Sequence, residues 1–80
     1  MNENELKLQN CFVNALGISE DLVTDSLAYT SIKQWDSVGH MALMNEIESM
    51  FDLMLDTDDI LELSSVAKAR AILVKYGVAF

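Results

Sequence analysis

The sequence predicts an all-α fold: a small antiparallel bundle of three main helices plus one short helix, with a long structured loop between helices 1 and 2. Three observations predict it. The 80 residues include no proline and only three glycines, which favours helices over a turn-rich β architecture. Hydrophobic residues make up 51% of the chain, enough for a packed core and too many for a disordered segment. Apolar residues recur at three- and four-residue spacing in three separate stretches. The length allows one domain, spanning residues 1–80.

The first helix is expected from about Glu3 to Leu16. Leu8, Phe12, Ala15 and Leu16 form its apolar stripe, Glu3 and Glu5 suit the positive end of the helix dipole, and Gly17 terminates it. Cys11 beside that stripe reads as a small core residue, because no histidine or basic cluster is near it in sequence to lower its pKa. From Ile18 to Asp36 the periodicity breaks up. Ser19 caps a short helical turn, and Thr24, Asp25, Ser26, Thr30 and Ser31 favour turns. Ile18, Leu22, Val23, Leu27, Tyr29, Ile32 and Trp35 are spread along the same segment and are expected to pin it across the helices, making it a packed loop.

The strongest helical signal runs from Ser37 to Phe51. His40, Leu43, Met44, Ile47 and Phe51 share one face, with Met50 at its edge, and either Asp36 or Ser37 serves as N-cap. Val38, Met41 and Ala42 fall off that stripe, so they are expected to present a small apolar surface to solvent near the helix start. After Leu53-Met54-Leu55, the stretch Asp56–Leu63 predicts a short helix capped by Asp56 or Thr57. The last helix starts at Ser64 or Ser65, turns Val66, Ala69, Ile72, Leu73 and Tyr76 inward, and stops at Gly77.

The formal net charge is -8, which disfavours nucleic acid and anionic lipid, since both require Lys and Arg to meet phosphate. Asp36, Glu46, Glu48, Asp52, Asp56, Asp58, Asp59 and Glu62 form a block with no Lys or Arg among them, which suits a basic protein partner. No apolar run approaches the roughly 20 residues of a membrane helix, and the acidic N-terminus lacks a signal-peptide pattern. With a lone cysteine, a cytoplasmic protein is expected.

Metal binding is not expected. Asp56-Thr57-Asp58 opens like a calcium loop, but Ile60 and Leu61 stand where an oxygen ligand and a turning glycine belong, and one His with one Cys makes no zinc site. Hydrolase chemistry at Ser37 would need His40 as its base, yet the segment has no nucleophile-elbow glycine ahead of the serine and no strand leading into it. A binding role, without catalytic residues, is expected instead. Helix physics alone makes Ser37 a plain N-cap, although a phosphodiester on it would also be stabilised by free backbone N–H groups and the helix dipole.

Four landmarks then carry a resemblance: Asp36-Ser37-Val38 at a helix start, Glu48-Ser49-Met50-Phe51-Asp52 at that helix's end, Leu16-Gly17-Ile18 closing the first helix, and Ser65-Val66 opening the last. Over almost its whole length the chain resembles an acyl carrier protein, the standalone carrier that bears phosphopantetheine. The resemblance implies that Ser37 carries 4'-phosphopantetheine, installed from coenzyme A by a phosphopantetheinyl transferase that recognises Asp36 and Val38. It implies a partner surface of Val38, Met41, Ala42, Asn45 and Glu48, facing an acyl-activating ligase, acyltransferase or ketosynthase with a basic docking patch. It also implies an acyl-chain lining drawn from Met44, Met50, Met54 and Ile60, and a monomer. The family's small pair before Asp-Ser is here Gln34-Trp35, its usual Leu is Val38, and its carboxylate five residues on is Ala42. These departures resemble carriers of polyketide, nonribosomal peptide, lipid or surface-polysaccharide pathways more than those of housekeeping fatty acid synthesis. The competing expectation is an acidic helical adaptor whose Ser37 stays unmodified.

Overall fold

A computed structural model describes residues 2–80. The helices are α1 (Glu3–Leu16), α2 (Ser37–Phe51), α3 (Thr57–Glu62) and α4 (Val66–Lys75), with a 3-10 turn at Glu20–Leu22. The bundle is therefore three main helices and one short one, and no strand occurs among the described residues.

Local chemistry sets the helix ends. Asn2 caps α1 by accepting from the Glu5 N–H, and Gly17 ends it in the left-handed conformation at φ 64°. Ser19 caps the 3-10 turn, and the Ser65 hydroxyl caps α4 by accepting from the Lys68 N–H at 3.0 Å. Asp56 occupies the N-cap position of α3 but makes no side-chain capping bond.

The end of α1 lies against the start of α2, with Leu16 beside Gly39, so these two long helices run antiparallel. Leu8, Phe12 and Leu16 from α1 meet Leu43, Met44 and Ile47 from α2, and α4 adds Val66, Ala69, Ile72 and Leu73. Burying side chains of this size is the main stabilising term, about 1.5–3 kcal/mol each.

The loop 18–36 is packed, but by fewer side chains than expected. Ile18, Leu27 and Trp35 are buried, and Val23 and Ile32 partly so, whereas Leu22 and Tyr29 are 46% and 40% exposed. Backbone pairing makes up the difference. Ala28 and Ser65 form an isolated antiparallel bridge, with the Tyr29 N–H donating to the Ser64 carbonyl and the Val66 N–H to the Leu27 carbonyl. The loop is thereby tied to the α3–α4 connection. Its last turn closes through Thr30, whose N–H donates to the Trp35 carbonyl at 2.8 Å. That closure holds a β-branched residue at φ 67°, an uncommon conformation that costs on the order of 1–2 kcal/mol.

Trp35 anchors the loop. It is fully buried, edge-on to Phe12 at 5.2 Å, and it sits two residues before Ser37, so the packing that holds the indole also fixes the start of α2.

Candidate functional site

The cap at the start of α2 belongs to Asp36. Its Oδ1 accepts from the Gly39 N–H at 2.8 Å, which makes Ser37 the first helical residue. Ser37 is exposed, and its hydroxyl has no hydrogen-bond partner among the described residues. The N–H groups of Ser37 and Val38 are likewise without protein acceptors there, as first-turn N–H groups commonly are. Most other serines are engaged: Ser19 and Ser65 cap helices, Ser26 pairs with Thr24, and Ser31 bonds both backbone groups of Ala28.

Gly39 makes this turn possible. A Cβ at that position would meet the Gln34 carbonyl oxygen at 2.2 Å and Leu16 Cδ2 at 3.1 Å, so the loop's last turn presses directly on the helix backbone. Nothing in the periodicity of α2 calls for a glycine at position 39. The available signal was a glycine in the first turn of the most regular helix, where it costs about 1 kcal/mol relative to alanine and so marks a close approach.

His40 lies behind Ser37 with both ring nitrogens occupied. Trp35 Nε1–H donates to His40 Nδ1 at 2.9 Å, and His40 Nε2 bonds the Ile60 carbonyl at 2.8 Å. Indole nitrogen only donates, so Nδ1 is the acceptor, and the imidazole is neutral with its proton on Nε2. No lone pair is left for the Ser37 hydroxyl, so this arrangement gives Ser37 no general base. The histidine joins the loop, α2 and α3, and Tyr29 packs edge-on to its ring at 5.4 Å.

Beside Ser37 opens a cleft of about 300 Å³, lined by Tyr29, Ser37, His40, Met41, Ile60, Leu61, Leu63 and Ser64. Its walls are mostly apolar. Val38 (76% exposed), Met41 (51%) and Leu61 (77%) surround the serine as an apolar collar. The first two are expected from the sequence, and Leu61 joins them because the fold brings α3 to the start of α2.

The structure redistributes the expected site residues. Val38, Met41, Ala42 and Asn45 are exposed on α2, but Glu48 is half-buried, and its Oε2 accepts the Leu55 N–H at 2.8 Å. Glu48 thus closes the α2–α3 connection and is not a free surface carboxylate. Asp59 also leaves the acidic face: it is buried, accepting from Lys75 Nζ at 2.6 Å and from the Tyr76 hydroxyl at 2.6 Å. The Lys75 ammonium, with the Tyr76 hydroxyl, holds its carboxyl below the usual carboxylate range. Of the expected chain-lining residues only Ile60 borders the cleft. Met44 is buried in the core, Met50 is half-buried against it, and Met54 is 82% exposed, because the Leu53–Leu55 link turns Leu55 inward and Met54 out.

Cys11 is fully buried, and desolvation, aided by the charge of Glu46, pushes its thiol up to about 12. It takes no part in the site. None of the helices described is long and apolar enough to cross a membrane. Scanned against protein-family models and searched against curated proteins and solved structures, the chain matches none.

Proposed function

We infer that this chain is a carrier protein, with Ser37 the attachment point for a 4'-phosphopantetheine arm and with no catalytic residues of its own. The observation that carries this reading is the division of labour at the start of α2. Asp36 does the capping, which leaves an adjacent exposed serine with an uncommitted hydroxyl at the mouth of an apolar cleft. A serine held only for its capping bond would not be placed one residue inside the helix.

The residues present fit such an arm. A phosphodiester on Ser37 would stand at the positive end of the 15-residue α2, within reach of the free Ser37 and Val38 N–H groups. The arm, when bound, supplies a thiol on which an acyl or aminoacyl group is held as a thioester. The collar of Val38, Met41 and Leu61 would seat the apolar part of a transferase, ligase, acyltransferase or ketosynthase. The exposed carboxylates Asp52, Asp56, Asp58 and Glu62 would steer a basic docking patch over about a Debye length, ~8 Å at physiological salt. The departures at Gln34-Trp35, Val38 and Ala42 favour partners in a specialised biosynthetic pathway, and a cytoplasmic site of action goes with coenzyme A as the donor.

Incubation with coenzyme A and a promiscuous phosphopantetheinyl transferase, followed by intact-mass measurement, tests this. One phosphopantetheine is expected on the wild type and none on Ser37→Ala. An unmodified wild-type chain would point to an acidic adaptor with a bare Ser37.

A further inference from the structure

One wall of the cleft, the His40 ring, is fixed in place by hydrogen bonds at both of its nitrogens. His40 stands between the cleft, which it lines, and Trp35, which lies behind it and does not reach the cleft. Its Nε2–H donates to the Ile60 carbonyl, bridging from α2 to the last turns of α3, so both sides of the cleft are tied together at this point. Trp35 behind the ring is fully buried, and Leu43 and Met44, in the turn of α2 after His40, are within 1% of complete burial. α3 itself is only six residues long. Asp59, the residue before Ile60, ties α3 to α4 through Lys75 and Tyr76, and the His40–Ile60 bond ties it to α2.

The volume matters beside this closure. About 300 Å³ is at the small end of the range for ligand pockets. A long chain entering from the Ser37 side would have to part His40 from the Ile60 carbonyl. That would break the half-buried His40–Ile60 bond and strip the buried Trp35 Nε1 of its partner as the ring moved.

We propose that His40 is the specificity-determining residue of the cleft: bonded to Trp35 and to the Ile60 carbonyl, it closes the inner end, so that the cleft takes a short aliphatic group and excludes a long one. This rests on the carrier function inferred above. The substrate class is then a short acyl thioester, with its tail against Met41, Ile60 and Leu61.

The test uses the full chain loaded on Ser37 from butyryl- or dodecanoyl-coenzyme A by a promiscuous transferase, observed by ¹⁵N and methyl NMR. Trp35 is the one tryptophan, so its indole N–H reports the closure by itself. In the wild type the butyryl form is expected to shift Met41, Ile60 and Leu61 relative to the unacylated arm. The dodecanoyl form should leave the Trp35 indole and the Met44 methyl where they are in the butyryl form. In His40→Ala, checked for folding by circular dichroism, the dodecanoyl form should shift both. Dodecanoyl-dependent shifts of Trp35 and Met44 in the wild type would overturn the proposal while leaving the carrier function intact, and they need no folded variant to be seen. A folded His40→Ala protein that behaves like the wild type would overturn it too. Failure of either acyl donor and of coenzyme A itself to load Ser37 would sink the carrier function and this proposal with it.

Discussion

The α1–α4 side of the bundle and the end that carries Ser37 treat their reactive and charged groups in opposite ways. On the α1–α4 side ion pairs form: Arg70 bonds Glu5 and Asp25, and Lys75 bonds Asp59. The one thiol, chemically the better nucleophile, is sealed in the core. At the Ser37 end no ion pair forms among the described residues, apolar side chains stand in solvent, and a hydroxyl is left without a partner. Stability is concentrated on one side and accessibility on the other. The join between them is the Trp35–His40–Ile60 chain of hydrogen bonds, which links the loop before the serine to α2 and α3.

The contrast is broken most severely at the join. Trp35→Ala removes a fully buried indole and orphans His40 Nδ1, and is expected to cost about 3–5 kcal/mol, read by urea denaturation followed by circular dichroism. Leu61→Ala, on the exposed collar, should stay within about 0.5 kcal/mol by the same measurement. Comparable losses in the two variants would mean that the collar is core after all. Next comes Gly39→Ala. Helix propensity alone favours alanine, but contact with the Gln34 carbonyl is expected to reverse the sign, to a loss of about 1–3 kcal/mol. A stabilised variant would show that the loop does not press on α2.

On the α1–α4 side, Asp59 should shape the acid limb of the stability curve. Its carboxyl is held below the ordinary value of about 3.9, so the contribution is present above that value and is lost as the pH falls through the lower, folded one. Asp59→Asn should flatten that part of the curve; an unchanged acid limb would mean that the Lys75 and Tyr76 bonds do not persist in solution. Cys11 should resist a thiol reagent at pH 8 until the chain is unfolded, whereas labelling of the native protein would show that this side opens.

Most helix ends were legible because they are signalled locally: Gly17, Ser19, the Asp36-Ser37 pair, Ser65 and Gly77 act through backbone groups a few residues away. The apolar faces of α1, α2 and α4 were legible for the same reason, since periodicity is a property of one helix. What could not be read depends on residues far apart in sequence. Periodicity puts His40 on the apolar face of α2, but one of its hydrogen-bond partners is twenty residues away, at Ile60. Glu48 counts as a surface carboxylate until the chain doubles back to offer it the Leu55 N–H. Met54 and Leu55 are alike in sequence, and only the path of the connection decides which faces in. Charge composition likewise marked an acidic block without showing that Glu48 and Asp59 hold structure together.

The smallest expected effect on stability belongs to the residue of greatest interest. With Asp36 as the cap, Ser37→Ala should change the unfolding free energy by no more than about 0.5 kcal/mol; a loss nearer to the ~1 kcal/mol of a missing cap would return Ser37 to a structural role. The most direct measurement is peptide-level localisation by tandem mass spectrometry after treatment with coenzyme A and the transferase. The modification is expected on Ser37 and on none of Ser19, Ser26, Ser31, Ser49, Ser64 or Ser65. An adduct on another serine, or no adduct at all, would contradict the assignment of Ser37 as the residue this end of the bundle is built to present.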